Sequence, residues 1–439
     1  MWWEIPGHLD VTGQKLFIGG QSAEALALKY GTPLHVYNGD RVVENFRRFR
    51  DAIGVYNPRE TRVHYAMKTN SNPRLLELLY GEGSWIDAVS PYEATAAVEA
   101  GFDPTKILFT GSSVQDSDMS AIRAIGSGMN IDSPSQLDRL SALVKREPVR
   151  YPISIRIDPG ITGAGHVPDN ITTGSVTIYG EKVATKFGVD KSEVMEVIQR
   201  ANSYGMKVRG LHFHIGSNWR SEEEISAFLG NLDGALDFSR QAVAMLGYDL
   251  EFLDMGGGPG VRYREEHPEF PLERYARELT QRIDNSGLNL PALAFEPGRY
   301  ISADTGILLA EVVDIKKKDG KWVVGVNTGF NHLPRPEIYN SHHEVVIVNN
   351  VDAEPETGVK IAGNVCETGD YLTRDPIERQ MPMPMIGDIV AFLTTGSYVK
   401  AMEMKGYNMW RPVPELVIYN GVPDDLSTEI VVRHRERLN

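Results

Sequence analysis

The chain has 439 residues, 41% of them hydrophobic and 24% charged, and 45 basic against 59 acidic side chains leave a net charge of −14. That length exceeds one ordinary core, so a large barrel plus a smaller domain is expected, and the acidic balance argues against nucleic acid and anionic membranes as partners. Cys366 is the only cysteine, which rules out an intrachain disulfide and a thiolate zinc cluster, and no metal site is expected.

Met1-Trp2-Trp3-Glu4 lacks the basic start and apolar stretch of a signal peptide, and no apolar run approaches a membrane span, so a cytoplasmic protein is expected. Residues 1–35 read as an N-terminal β-type segment, with a strand at Lys15–Ile18 and a helix opened by Ser22. A second strand covers 32–37, and Asp40 is expected to cap the helix after it. Short apolar runs then recur at 63–67, 85–89, 107–110, 129–131, 153–157, 208–212, 252–255 and 293–296. Helical periodicity fills most of the gaps, as at 90–100 and 192–204. Eight strands alternating with helices predict an α/β chain built on a (β/α)8 TIM barrel over residues 36–300. Beyond Ile301 the rhythm changes to strands at 312–316, 322–326, 344–348, 359–361, 389–393 and 416–419. Residues 301–439 are therefore expected to form a β-rich second domain, completed by the N-terminal segment and packed on the barrel without a flexible linker.

Polar and glycine-rich stretches follow the strands directly, where such a barrel keeps its chemistry. Lys68 ends the first barrel strand, ahead of the turn formers Asn70-Ser71-Asn72-Pro73; it either caps the strand at the surface or serves as a nucleophile that burial has relieved of its proton. His212 and His214 share a strand face by alternation, next to Gly216-Ser217. Asp254-Met255-Gly256-Gly257-Gly258-Pro259-Gly260 offers backbone N–H groups to an anion such as phosphate, and it lacks the helix opening of a dinucleotide fingerprint. Glu296-Pro297-Gly298-Arg299 ends the eighth strand with two charges aimed at the barrel mouth.

Together, Tyr65-Ala66-Met67-Lys68, His214-Ile215-Gly216-Ser217, Asp254 to Gly258, Glu296 to Arg299, Arg335-Pro336 with Tyr339, Cys366-Glu367-Thr368-Gly369-Asp370 and Gly396-Ser397-Tyr398 resemble, in order, the barrel-type pyridoxal-phosphate decarboxylases. Within that group the pattern is most similar to the diaminopimelate decarboxylases of lysine biosynthesis, over roughly residues 30–420. The resemblance implies that Lys68 holds pyridoxal 5'-phosphate as a Schiff base. It implies that Gly256, Gly257, Gly258 and Gly298 cradle the phosphate, with hydroxyls from Ser217 and Tyr398. His214 would lie flat on the ring, Glu296 would keep the pyridine nitrogen protonated, and Asp87 and Arg299 would complete the cofactor contacts. Arg299, Arg335, Tyr339, Glu367 and Tyr398 are the implied substrate contacts. Cys366 would help return a proton, and the pair Cys366 and Glu367 would come from the partner subunit, making a homodimer with shared sites.

Arg335 suits a distal carboxylate and Glu367 a distal ammonium, a combination that meso-diaminopimelate carries, although Glu337 is an alternative partner for Arg335. Three stretches depart from the family pattern: Asn327-Thr328-Gly329, the long loop 160–184 with Thr185-Lys186-Phe187-Gly188, and the methionine- and tryptophan-rich segment 401–410. They leave open a decarboxylase for another basic amino acid or a specialised biosynthetic intermediate, and a catalytically dead binding homologue.

Overall fold

The computed structural model describes residues 1–144, 151–158, 175–178 and 181–424. Eight parallel strands close into a barrel: Glu60–Ala66, Trp85–Ala88, Ile107–Phe109, Gly128–Ile131, Pro152–Asp158, Lys207–Phe213, Phe252–Asp254 and Ala292–Phe295. Neighbours pair in chain order, and the ring closes where Ala292 lies beside Glu60. Each strand falls within a few residues of its expected apolar run. Of the loop 160–184, residues 160–174 and 179–180 lie outside the described residues, while Ser175–Ile178 and Glu181–Ala184 pair as an antiparallel hairpin.

Alternation along the strands sorts the side chains into two environments. Val63, Tyr65, Ile86, Leu253 and Phe295 face outward and join the apolar shell between barrel and helices. The opposite face carries His64, Asp87, His212 and Asp254, brought to neighbouring heights by the pairings His64 with Trp85, Ala66 with Asp87, and His212 with Asp254. Phe252, Ala292 and Ala294 form a small apolar group apart from that shell. The barrel interior is therefore polar where an ordinary barrel would be filled with branched aliphatic residues.

The second domain is a curled sheet. Its long strand Gly306–Lys318 pairs with Lys321–Val326, with Ile389–Phe392 and with the N-terminal strand Leu34–Asn38. That N-terminal strand is itself sandwiched, since its other edge takes Glu415–Tyr419 in parallel. Residues ahead of the barrel thus complete the sheet that follows it, as expected. The helix Gly39–Tyr56 starts from the end of this strand, and its cap corrects the sequence reading. Asn38, not Asp40, is the N-cap: its side-chain oxygen accepts from the Asp40 and Arg41 amides at 3.0 and 3.4 Å. Asp40 already lies inside the first turn, where its carboxylate accepts from the Asn420 amide at 2.8 Å.

Asn38 also meets His8 Nδ1 at 3.0 Å and is 1% exposed, so it joins three segments at once. Asn38→Ala is expected to lower stability by about 1–2 kcal/mol, the range of a lost N-cap, while Asp40→Ala costs less. Urea denaturation of the two variants side by side checks this ordering.

Candidate active site

The first barrel strand ends in a short turn, Met67–Thr69, and that turn is fixed from several directions. The Tyr65 hydroxyl donates to the Asn70 carbonyl at 2.9 Å, and the Thr69 hydroxyl donates to the Ala66 carbonyl at 2.9 Å. The second domain grips the same turn. The Tyr398 amide donates to the Thr69 carbonyl at 2.8 Å, and the Asn70 side chain donates to the Gly396 carbonyl at 3.1 Å. Lys68 is thereby held at the rim of a cavity of about 410 Å³ between barrel mouth and β domain.

Lys68 Nζ donates to Asp87 Oδ2 at 3.3 Å, and Asp87 is wholly buried at the end of the neighbouring strand. Burial works against the ammonium, but Asp87, the Tyr398 phenol and Glu296 outweigh it and raise its pKa. Of the two sequence alternatives for Lys68, the acids around it favour the charged amine. Glu296 is buried beside His212, with Oε2 lying 3.3 Å from the ring Nε2. Burial disfavours its charge, yet His212, Lys68 and His214 prevail and hold it below the usual carboxylate range. Its second oxygen, Oε1, has no hydrogen-bond partner among the described residues. The His214 ring accepts from the Gly257 amide at 3.2 Å and is kept neutral by burial, Lys68 and Arg156.

The structure brings most of the expected residues to one place. Lys68, His214, Ser217, Gly257, Gly258, Glu296, Gly298, Arg299, Arg335, Tyr339 and Tyr398 line the cavity, with Asp87 and Gly256 just outside its lining. Arg299 donates to the Tyr263 hydroxyl at 2.8 Å and lies over the Tyr398 ring at 4.9 Å. Arg335 lies over the Tyr263 ring at 4.7 Å and meets His343 Nε2 at 3.1 Å. Glu337, its alternative partner by sequence, accepts instead from Arg374. Cys366 and Glu367 are exposed on the β domain and do not line the cavity of their own chain. Segment 401–410 does not line it either. Its Asn408 oxygen accepts from the Cys366 amide at 2.8 Å, and Met409 is 91% exposed.

Sequence reasoning missed several neighbours. Tyr263, tucked between Arg299 and Arg335, was hidden in the polar run after the glycines. Arg156 ends the fifth strand over the Phe187 ring at 4.4 Å, and both line the cavity. Their signal was present, since an arginine inside an apolar strand needs a partner, but the strand alone does not say which. Glu93 was also missed. Its carboxylate accepts from the Val89 amide at 2.8 Å, and its own amide donates at 3.1 Å to the hydroxyl of Ser90, the N-cap of helix Pro91–Glu99.

Burial, helped by Asp87, pushes Glu93 up to about 7 against the pull of the Val89 N–H. The folded chain keeps this proton to about 7, whereas a free glutamate loses it near 4.5. Between those values the folded state binds more protons, so this group's contribution to stability falls as pH rises. Glu93→Gln keeps an acceptor for Val89 and removes that fall. Denaturation midpoints measured at about pH 5 and about pH 8 should show the variant gaining on wild type at the higher pH.

The cavity can be tested against the expected cofactor, a flat pyridine bearing a phosphate. Glu296 Oε1 supplies an unpartnered, buried acceptor for a protonated ring nitrogen. Gly257 and Gly258 form a wall without side chains: a Cβ on either would sit 2.7 Å from the Glu296 carbonyl or 2.6 Å from the Trp219 ring. Such a wall lets an anion approach the backbone closely, although the Gly257 amide already donates to the His214 ring at 3.2 Å. Donors, acceptor and space fit the group.

Comparison with known proteins agrees with this geometry. Residues 39–303 match the family described as pyridoxal-dependent decarboxylase, pyridoxal binding domain. The diaminopimelate decarboxylase of Methanothermobacter thermautotrophicus is 38% identical over 427 residues, covering 96% of this chain and 93% of that protein. The crystal structure of diaminopimelate decarboxylase from M. jannaschii in complex with L-lysine superposes with a TM-score of 0.84 at 26% identity, covering 95% of this chain and 94% of the other. The corresponding Helicobacter pylori structure with L-lysine gives a TM-score of 0.80 at 28% identity, covering 95% and 100%. With a family match over more than half of its length and a barrel mouth shaped for the cofactor, the chain belongs to the pyridoxal-dependent decarboxylases and uses pyridoxal 5'-phosphate.

Proposed function

We propose that this protein decarboxylates meso-diaminopimelate to L-lysine, in a homodimer whose active sites draw on both chains. The observation that carries the reading is the placement of Arg335 on the same cavity as Lys68 and Glu296, one end suited to chemistry and the other to a carboxylate. Bound pyridoxal phosphate supplies the sink for the electrons released with carbon dioxide. The residues of this chain do the rest. Lys68 is the amine that holds the cofactor, and Asp87 is the group able to take or balance its proton. Glu296 would pair with the ring nitrogen, and neutral His214 would pack on the ring. Gly256, Gly257, Gly258, Gly298, Ser217 and Tyr398 would hold the phosphate, and Arg299 would serve both cofactor and substrate from the cavity wall.

On the substrate side, Arg335 offers a planar fork to the distal carboxylate, which lysine could not reproduce, and Tyr339 adds a hydroxyl. Glu367 of the partner subunit accepts from the distal ammonium, and Cys366 of the partner subunit returns the proton. What supports this division is that both residues are exposed and lie off the cavity of their own chain, on the loop tied to Asn408. The neighbouring Tyr407, Met409 and Trp410 are 39%, 91% and 42% exposed, an apolar surface suited to burial against a second copy.

Two measurements test the proposal. Ornithine, lysine and arginine suit Glu367 but offer no distal carboxylate to Arg335, a lost charge-assisted contact worth on the order of 1–3 kcal/mol. The kcat/KM for meso-diaminopimelate should therefore exceed theirs by about tenfold or more. Equal use of a simple basic amino acid would refute the substrate while leaving the decarboxylase intact. Mixing two inactive variants, Lys68→Ala and Cys366→Ala, should restore about a quarter of wild-type activity, since half the dimers are mixed and each carries one intact site. No recovery in a mixture proven to exchange subunits would end the shared-site reading.

A further inference from the structure

The substrate reading gives Arg335 the distal carboxylate, yet a long, flexible side chain has no fixed direction of its own. Its direction is set by two rings that do not line the cavity, His343 and Tyr263. Arg335 opens the short helix Arg335–Tyr339, and Asn340, with φ 53°, ends that helix in a left-handed turn. The chain doubles back, and His343 returns to Arg335 from eight residues on. Arg335, His343 and Tyr263 are 3%, 0% and 4% exposed. All three are buried side chains.

The hydrogen bonds fix the chemistry of the His343 ring. An arginine can only donate and a carbonyl can only accept. Arg335 Nη1 lies 3.1 Å from His343 Nε2, and His343 Nδ1 lies 2.9 Å from the Leu393 carbonyl oxygen. Nε2 is therefore the acceptor and Nδ1 carries the proton, so one neutral tautomer satisfies both partners. Burial and the Arg335 charge likewise hold the imidazole neutral. Leu393 is itself fixed: its amide donates to the Glu344 carbonyl at 2.9 Å, beside the paired strands Val345–Ile347 and Ile389–Phe392. The guanidinium lies over the Tyr263 ring at 4.7 Å, and that ring meets His343 edge-on at 5.8 Å. The Tyr263 hydroxyl accepts from Arg299 at 2.8 Å, so one ring braces both arginines.

We propose that His343 is a positioning residue for substrate selection: it accepts from Arg335 through Nε2 and, with Tyr263, aims the guanidinium at the distal carboxylate. The inference rests on the substrate reading and adds to it the residues that orient its arginine.

The test compares two ligands. L-Lysine and cadaverine share one carbon chain and two amines and differ by a single carboxylate, so their affinity ratio reads the Arg335 contact. Titration calorimetry on the protein loaded with pyridoxal phosphate gives both constants. Wild type should bind L-lysine at least about tenfold more tightly, the scale of one hydrogen bond to a charged group. His343→Asn keeps a donor near Leu393 but is too short to reach Arg335. Its ratio should fall to about threefold or less while the affinity for cadaverine holds. His343→Gln can present an oxygen where Nε2 lies, and its ratio should stay within about twofold of wild type. In the Arg335→Met background, adding His343→Asn should leave the affinity for L-lysine unchanged, because the effect runs through that guanidinium. If His343→Asn does not fold, Tyr263→Leu decides: it removes the ring under Arg335 and should lower the ratio by about threefold or more. A wild-type ratio in His343→Asn, an equal loss in His343→Gln, a further loss in the double variant, or a wild-type ratio in Tyr263→Leu would overturn the proposal. A wild type without preference for L-lysine would instead sink the substrate reading on which it stands.

Discussion

The constraint on which this molecule turns is charge compensation among side chains buried inside a closed barrel. A lone buried ammonium or carboxylate costs several kcal/mol, so each must sit against an opposite charge held by the frame. Lys68 meets Asp87 across adjacent strands, and Glu296 meets His212 over one intervening strand. These pairs are set by strand register, which a slip of one residue would turn outward into the apolar shell. The register is in turn held by outward aliphatic and aromatic side chains packed under the helices. Stability thus resides outside the barrel wall and chemistry inside it.

The second domain is tied to the same point. Gly396 and Tyr398 reach the Lys68 turn through backbone hydrogen bonds, and Ser397 Oγ lies 2.6 Å from Ser302 Oγ. Tyr398 takes a left-handed backbone, φ 57°, to make this contact and to bring its ring under Arg299. Such a conformation is unfavourable for tyrosine and persists because the surroundings over-determine it. The N-terminal strand Leu34–Asn38, locked between Gly306–Lys318 and Glu415–Tyr419, closes the sheet that carries this loop. Chain ends far apart in sequence therefore meet behind the site, which accounts for the absence of a flexible linker near residue 300.

The arginines show how an acidic protein makes a basic pocket. Arg156, Arg299 and Arg335 converge on a cavity inside a chain of net charge −14. Two of them are kept apart by Tyr263. Burial raises that phenol's pKa, but Arg299 and Arg335 outweigh it and bring it down. Each guanidinium rests on an aromatic face, a geometry that tolerates burial better than a bare ammonium would.

Barrel and β domain were legible in the sequence because alternation and helical periodicity are local: each residue's side is decided by its neighbours two to four positions away. The motifs around Lys68, His214, Gly256, Glu296 and Tyr398 were legible for a related reason, since glycines, prolines and paired charges at strand ends are unusual locally. What remained hidden were relations between distant segments. Asn38 displaced Asp40 as the cap because the strand before it is pinned on both edges, which no local pattern reveals. Tyr263 and Arg156 became site residues only when loops from different strands met. The charge state of Lys68 depended on Asp87, 19 residues away, and reversed what burial alone implies. Local periodicity determined which residues form the barrel; the closing of the ring decided which charges face each other, because electrostatics acts through space and not along the chain.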